Sequence, residues 1–385
     1  MVKNIVNNLE KGNHTLGAFI DLIQAFNCVN HNILMNELNI CGVRGVALDW
    51  IKAYLKDRNQ CVEIQGKRST FLLINSGEPQ GSVLGPVLYN LYVNRLAKII
   101  QHLYTIMYAD DIMLSLAERS QENLEITSTI KLSELLDYLD SLNLHINFNK
   151  SSLVKFSTNY INSNSINIII NDEQLNSVSS VKYLGITIDE HLTWKTHIEN
   201  LCNSLSSSTF LLRTIAPLRN AQLLKLCYFS LIESRITYGI AVWGRARKIH
   251  LDRLFKIQKK AKRILAGLRK RQSCREAFKS LQILTLSSIY ILEVITYTRF
   301  GEHTTFNEDI HTHKTRQIQD IHCKTYKLEI SATLTQNIGA ILFNKLPPNL
   351  KKLSEKRKFK KCLKKYLVNG VYYSVDEFIL NHTHV

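Results

Sequence analysis

No stretch of this 385-residue chain approaches the roughly 18 consecutive uncharged apolar residues that a membrane-spanning helix needs. The best candidate, residues 223–244, is interrupted by Lys225, Glu233 and Arg235. The N-terminal stretch through His14 lacks the apolar core of a signal peptide. The eight cysteines are scattered with no Cys-x-x-Cys pair, in a chain large enough to build a core without disulfide staples. His311, His313, His322 and Cys323 lie close in sequence, but their spacing matches no zinc pattern. No solenoid-type repeat is visible either. Together these absences predict an intracellular, water-soluble protein with free thiols, no membrane partner and no structural zinc.

Basic residues crowd into two segments. Residues 245–271 hold twelve Lys or Arg against one Asp, and residues 351–365 hold nine against one Glu. The whole chain carries a formal charge of +17, so these two segments account for all of the excess. A solvated surface helix is the plain reading of such a run. Charge this concentrated also suits a polyanionic partner, because clustered Lys and Arg gain most from neutralising phosphates and releasing counterions.

The pattern divides the chain into zones. Residues 1 to about 185 mix short β-like runs with helical stretches, which suits an α+β domain, whereas residues 190–300 are mostly helical in periodicity. Residues 158–180 are rich in Asn and Ser and read as a hairpin insertion, with a strand at Ile166–Ile170 and a turn at Asn171-Asp172. Pro347-Pro348 reads as a boundary. Leu251, Leu254, Phe255, Gln258, Ala261, Leu265 and Leu268 recur at helical spacing, with Arg253, Lys256, Lys259, Lys260 and Arg263 on other faces. Phe359, Cys362, Leu363, Tyr366 and Leu367 repeat that amphipathic design.

Three short segments carry chemistry. Tyr108-Ala109-Asp110-Asp111 sits between two β-favouring apolar runs, which predicts a hairpin displaying adjacent carboxylates at its tip. Two neighbouring Asp among hydrophobics repel each other unless cations neutralise them, and Mg²⁺ prefers carboxylate oxygens. Gly17–Leu22 is a short apolar run ending in Asp21-Leu22, followed by a helical stretch to about Leu38. Taken alone, Asp21 reads as a helix N-cap. At the end of a strand it would face the Asp pair, and three carboxylates can hold two metal ions roughly 3.5 to 4 Å apart. Gly77–Pro86 is a glycine-rich turn in which Ser82 or Gly85 begins a helix through Asn94.

The order of Phe19-x-Asp21 with Ala25-Phe26, then Pro79-Gln80-Gly81, Tyr108-Ala109-Asp110-Asp111, Asn147-Phe148-Asn149-Lys150 and Lys182-Tyr183-Leu184-Gly185 resembles the reverse transcriptases of non-LTR retrotransposons, jockey-like elements in particular. The likeness continues through Tyr238-Gly239-Ile240 and Trp243-Gly244. It implies a right-hand polymerase palm over residues 1–189, an antiparallel sheet with helices on one face. A helical thumb over 190–245 and a basic, mainly helical region over 246–385 would follow. It implies an RNA-directed DNA polymerase that uses an RNA template, a DNA primer and deoxynucleotide triphosphates, working in the nucleus. Asp21, Asp110, Asp111 and the Leu22 carbonyl would hold two Mg²⁺ ions, the three carboxylates being catalytic. Phe26 matches a steric gate under the incoming sugar, although a core Phe is the alternative. Gln80 and Gly81 match the segment against template base and nucleotide. Lys150 matches a lysine near the triphosphate, with an exposed structural lysine as its alternative, and Tyr183 to Gly185 match a primer-holding turn.

The match has departures. Only twenty residues precede Asp21, so fingers, endonuclease and zinc knuckles are missing from the expected set, which suggests a truncated copy. Asn27 and Asn30 stand where acidic residues are usual, and Glu78 replaces an apolar residue before Pro79. Two functions therefore compete: a polymerase, and a catalytically silent nucleic-acid-binding remnant using the two basic helices.

Overall fold

The computed structural model describes residues 1–100, 103–158, 166–170, 173–301, 304–310 and 318–381. The chain forms two compact units, divided in sequence after Tyr183.

The first unit is built on a five-stranded sheet. Its strands are β1 (His14–Ile20), β2 (Tyr104–Tyr108), β3 (Asp111–Glu118), β4 (Ser152–Phe156) and β5 (Asn176–Ser177), in the order β5-β4-β1-β3-β2. Only β5 runs parallel to its neighbour β4; the rest of the ladder is antiparallel. β1 is central, and six of its seven residues are buried because both of its faces are covered. Leu16, Ala18 and Ile20 join Ile112, Leu114 and Leu116 on one face, packed against Leu124, Leu132, Leu135 and Leu139 of the 21-residue helix Gln121–Ser141. That helix starts where Ser120 accepts a bond from the Asn123 amide. On the other face Gly17 sits where a Cβ would lie 2.9 Å from the Phe156 ring.

The helix expected directly after Asp21 is displaced. Residues 22–30 form bends and turns, and the helix runs His31–Ile40, opened by Asn30, whose side chain accepts from the Asn32 and Ile33 amides. Asn30 is thus the cap that Asp21 is not. Residues 166–180 contribute a hairpin of Ile169–Ile170 with Glu173–Gln174, while its turn at Asn171-Asp172 lies outside the described residues.

The second unit is helical. Lys248–Leu265, which the resemblance places after the expected thumb, packs against Lys195–Ile215 and Ala221–Tyr228. Leu286–Arg299 packs against Thr335–Asn344 and Lys356–Gly370. Pro347 caps the short helix Pro348–Lys351 and marks a helix start inside this unit. No helix among the described residues is long and apolar enough to cross a membrane.

Candidate active site

The pairing of β1 with β3 ends at Ile20↔Ile112. The next residue on each strand is an aspartate, Asp21 and Asp111. β2 and β3 pair up to Tyr108↔Asp111, leaving Ala109-Asp110 as a two-residue connection. Ala109 takes a left-handed φ of +54°, which costs an L-residue about 1 kcal/mol and holds the tip in a bent form. Register and turn therefore bring all three sequence-predicted carboxylates to one end of the sheet.

Their electrostatics agree with that placement. Asp111 is pushed above the usual carboxylate range first by burial, then by the negative charges of Asp110 and Asp21. The Asp21 amide donates to Ser151 Oγ at 3.1 Å, and its carbonyl accepts from the Asn147 amide at 2.9 Å. Leu22 bridges to Ile146. These contacts fix the strand end against the turn of Asn147–Lys150, which is closed by the Lys150 and Ser151 amides donating to the Asn147 carbonyl. The Lys150 ammonium lies 3.7 Å from an Asp21 carboxylate oxygen, with 71% of its side chain exposed. The donor set of three carboxylates suits a hard divalent cation. As they stand, however, no group of three His, Cys, Asp or Glu side chains among the described residues is arranged to hold an ion.

A second cluster lies in the same unit. The Gly77 amide donates to the Val29 carbonyl at 2.8 Å and the Glu78 amide to the Phe26 carbonyl at 3.1 Å. A Cβ on Gly77, whose φ is +84°, would lie 2.9 Å from the Asn27 carbonyl oxygen, so glycine alone permits this approach. The contact carries the Gln80 amide to within 3.0 Å of Asn27 Oδ1. Gly81 has φ +81° and open space at its Cβ position. Phe26 is half-buried, with its ring 4.6 Å from that of Tyr89. Tyr89 comes from the helix Gly85–Tyr92, which opens at Gly85 where its amide donates to Ser82 Oγ.

Sequence reasoning missed three members of these clusters. Ser151 carries no signal in the sequence, since serine after a turn has many roles. Tyr89 sits in an apolar helical run and reads as core, yet burial and the charges of Asp110, Tyr92 and Glu78 push its hydroxyl well above the normal range. Asn27 was noticed only as a departure. Glu78 was noticed too, and its carboxyl is pushed up to about 7 by burial, with Oε2 buried and unpaired at the place a Gly85 side chain would occupy.

Of the other residues singled out by sequence, Tyr183 stacks edge-on to Phe19 at 5.3 Å, and burial with the Asp111 charge pushes it up to about 12. Leu184 and Gly185 both adopt left-handed φ, so this segment is a tight turn. His311 and His313 lie outside the described residues.

Comparison with known proteins bears on the first unit most strongly. Residues 2–188 match the family model for reverse transcriptase, described as RNA-dependent DNA polymerase. The RNA-directed DNA polymerase from mobile element jockey of Drosophila melanogaster is 28% identical over 273 residues, 67% of this chain and 29% of that protein. Its counterpart from Drosophila funebris is 30% identical over 274 residues with the same coverage. The probable RNA-directed DNA polymerase from transposon X-element of Drosophila melanogaster is 25% identical over 69% of this chain and 30% of its own length. The chain therefore spans less than a third of the curated relatives it matches. Among solved structures, a Candida albicans telomerase aligns at 12% identity and a TM-score of 0.40 over 74% of this chain and 52% of its own, a distant likeness. Residues 2–188 match a reverse transcriptase domain, and over about two thirds of its length the chain is similar to the reverse transcriptases of jockey-like non-LTR retrotransposons.

Proposed function

We propose that the chain is an RNA-directed DNA polymerase that extends a DNA primer on an RNA template with deoxynucleotides. The observation that carries this reading is the register that sets Asp21, Asp110 and Asp111 at one end of the sheet, with Asp111 raised first by burial and then by the charges of the other two. Asp21, Asp110, Asp111 and the Leu22 carbonyl are the residues that would hold two Mg²⁺ ions. Ions held there would supply Lewis-acid chemistry, lowering the pKa of a primer hydroxyl and offsetting the charge of a departing pyrophosphate.

The remaining roles belong to this chain's own side chains. Phe26, held by Tyr89 and by the Glu78 amide on its carbonyl, would exclude a sugar carrying a 2′-hydroxyl. Gln80 and Gly81, positioned through Asn27, would lie against template base and nucleotide. Lys150, beside Asp21 and mostly exposed, would turn its ammonium to the triphosphate and stabilise the leaving group. Nuclear action on chromosomal DNA extends the same reading.

The test is Mg²⁺-dependent deoxynucleotide incorporation on a primed RNA template. Incorporation abolished by Asp110→Asn supports the proposal, and a wild-type signal no higher than that variant's rejects it.

A second reading, a catalytically silent nucleic-acid binder, draws on the second unit. Arg253, Lys256, Lys260 and Arg263 line a groove of about 420 Å³ with Ser206. Their spacing of three, four and three puts four cations along one helix face. Salt-steep RNA binding unchanged by Asp110→Asn, together with no incorporation, is the result that selects this reading.

A further inference from the structure

The helix Lys356–Gly370 contains seven Lys or Arg and no acidic residue. Its inner face is consumed: Phe359, Leu363 and Leu367 are fully buried. Lys360 pairs with Glu293 at 2.8 Å. Arg357, Lys358, Lys361 and Lys365 are exposed and have no ion-pair partner among the described residues. Arg357, Lys361 and Lys365 are four apart, so they stand in one row.

This arrangement is unfavourable for the helix by itself. Like charges four residues apart repel by roughly 0.2–0.5 kcal/mol per pair. Lys356, Arg357 and Lys358 also occupy the first turn, where the helix dipole is positive and cations are disfavoured. An ordinary solvated helix relieves such repulsion by interleaving Glu with Lys. Here nothing within the helix relieves it, and a bound polyanion would.

We propose that the exposed face of Lys356–Gly370 is a binding surface for the phosphodiester backbone of a nucleic acid, separate from the groove lined by Arg253, Lys256, Lys260 and Arg263. Two alternatives fit less well. An anionic membrane surface is held by helices with a free apolar face, and this one has spent its own in the core. Protein interfaces centre on aromatic or aliphatic anchors, and no large hydrophobic residue of this helix is exposed. A row of cations without anchors suits a backbone that offers evenly spaced charge and is read without sequence. The inference rests on the nucleic-acid reading of the chain only for the choice of ligand.

The experiment is a salt titration of the full chain binding two fluorescent probes, a single-stranded RNA and a duplex DNA. The variants are R357Q/K361Q/K365Q and the charge-retaining R357K/K361R/K365R. Losing three phosphate contacts should flatten the slope of log affinity against log salt by about 2.7 for the duplex, or about 2.1 for the single strand. The probe that shows its expected loss identifies the strand form. The charge-retaining variant should keep the wild-type slope, and equal melting temperatures verify folding. An unchanged slope in the Gln variant overturns the proposal, as does equal loss in both variants or a loss confined to binding of anionic vesicles. Incorporation is scored separately. Absent polymerisation with an intact charge effect rejects only the polymerase reading, and normal polymerisation with no charge effect rejects only this surface.

Discussion

In the first unit the charges that matter lie where strands end. Asp21 and Asp111 follow the last pair of the β1–β3 ladder, Asp110 occupies a two-residue connection, and the Asp21 backbone, accepting from the Asn147 amide and donating to Ser151 Oγ, holds the cluster in place. In the second unit the dominant charges are cations on helix surfaces. There, one lysine and one glutamate carry buried polar atoms that make no hydrogen bond. Lys262 is fully buried with an unpartnered ammonium over the Phe278 ring, and Glu233, in a π-helical turn, keeps one carboxylate oxygen buried and unpaired. The contrast teaches that repelling charge is tolerated where a ligand can neutralise it, whereas buried charge without a ligand must be relieved by proton exchange.

The sharpest way to break that contrast is at the carboxylates. Asp111→Asn should lower incorporation about a thousandfold or more, corresponding to about 4 kcal/mol of transition-state stabilisation, while leaving the melting temperature unchanged or raised, since it removes repulsion. Loss of stability instead would mean that the cluster is structural.

Next in size is Gly77→Ala, which meets a backbone oxygen at 2.9 Å in a left-handed conformation. It should destabilise the first unit by about 2 kcal/mol or more, read by urea unfolding. It should also weaken discrimination against ribonucleotides, because the Phe26 loop loses its seat. Stability within about 0.5 kcal/mol of wild type contradicts the close-approach account.

Lys262→Met should stabilise the second unit by roughly 1–3 kcal/mol at pH 7. Burial, with Lys225 nearby, drops Lys262 to about 7, against help from Glu233 and Cys274. Burial raises Glu233 to about 7, against help from Lys364 and Lys262. An unfolded lysine stays protonated up to its normal pKa, so the unfolded state holds the extra proton above pH 7 and stability rises there with pH. The folded Glu233 holds the extra proton between about 4.5 and 7, so stability falls across that window. Thermal melting of the second unit should therefore show a minimum near pH 7. Lys262→Met removes the alkaline rise and Glu233→Gln the acid one.

Smallest is Glu78→Gln. Its carboxyl, raised to about 7, lowers stability above pH 7 and ceases to do so as pH falls toward about 4.5. Partial exposure limits the effect to about 1 kcal/mol or less. The variant should flatten that pH dependence and lower the KM for nucleotide; an unchanged KM separates Glu78 from the nucleotide path.

These predictions also mark what sequence could and could not show. The hairpin at Tyr108–Asp111 was legible because alternating β-favouring runs around an acidic pair have few other readings. The inner face of Lys248–Leu265 was legible at Leu254, Phe255, Gln258 and Ala261. Lys262 lies four residues after Gln258 on the same face, but its chemistry argued for solvent and only packing put it inside. The helix after Asp21 was misplaced because nine residues of bends carry apolar side chains at helix-compatible spacing, while the true cap, Asn30, looked merely like a substitution. Joining Gln80 to Asn27 depends on the Gly77 contact across 50 residues of chain, which no local pattern encodes.

The central claim is that Asp21, Asp110 and Asp111 form one divalent-metal site, and Mn²⁺ binding followed by electron paramagnetic resonance tests it most directly. With primed RNA template and a non-hydrolysable deoxynucleotide present, the account predicts two ions per wild-type chain and loss of both in the variant carrying Asn at all three positions. Equal Mn²⁺ binding by wild type and that variant would contradict it.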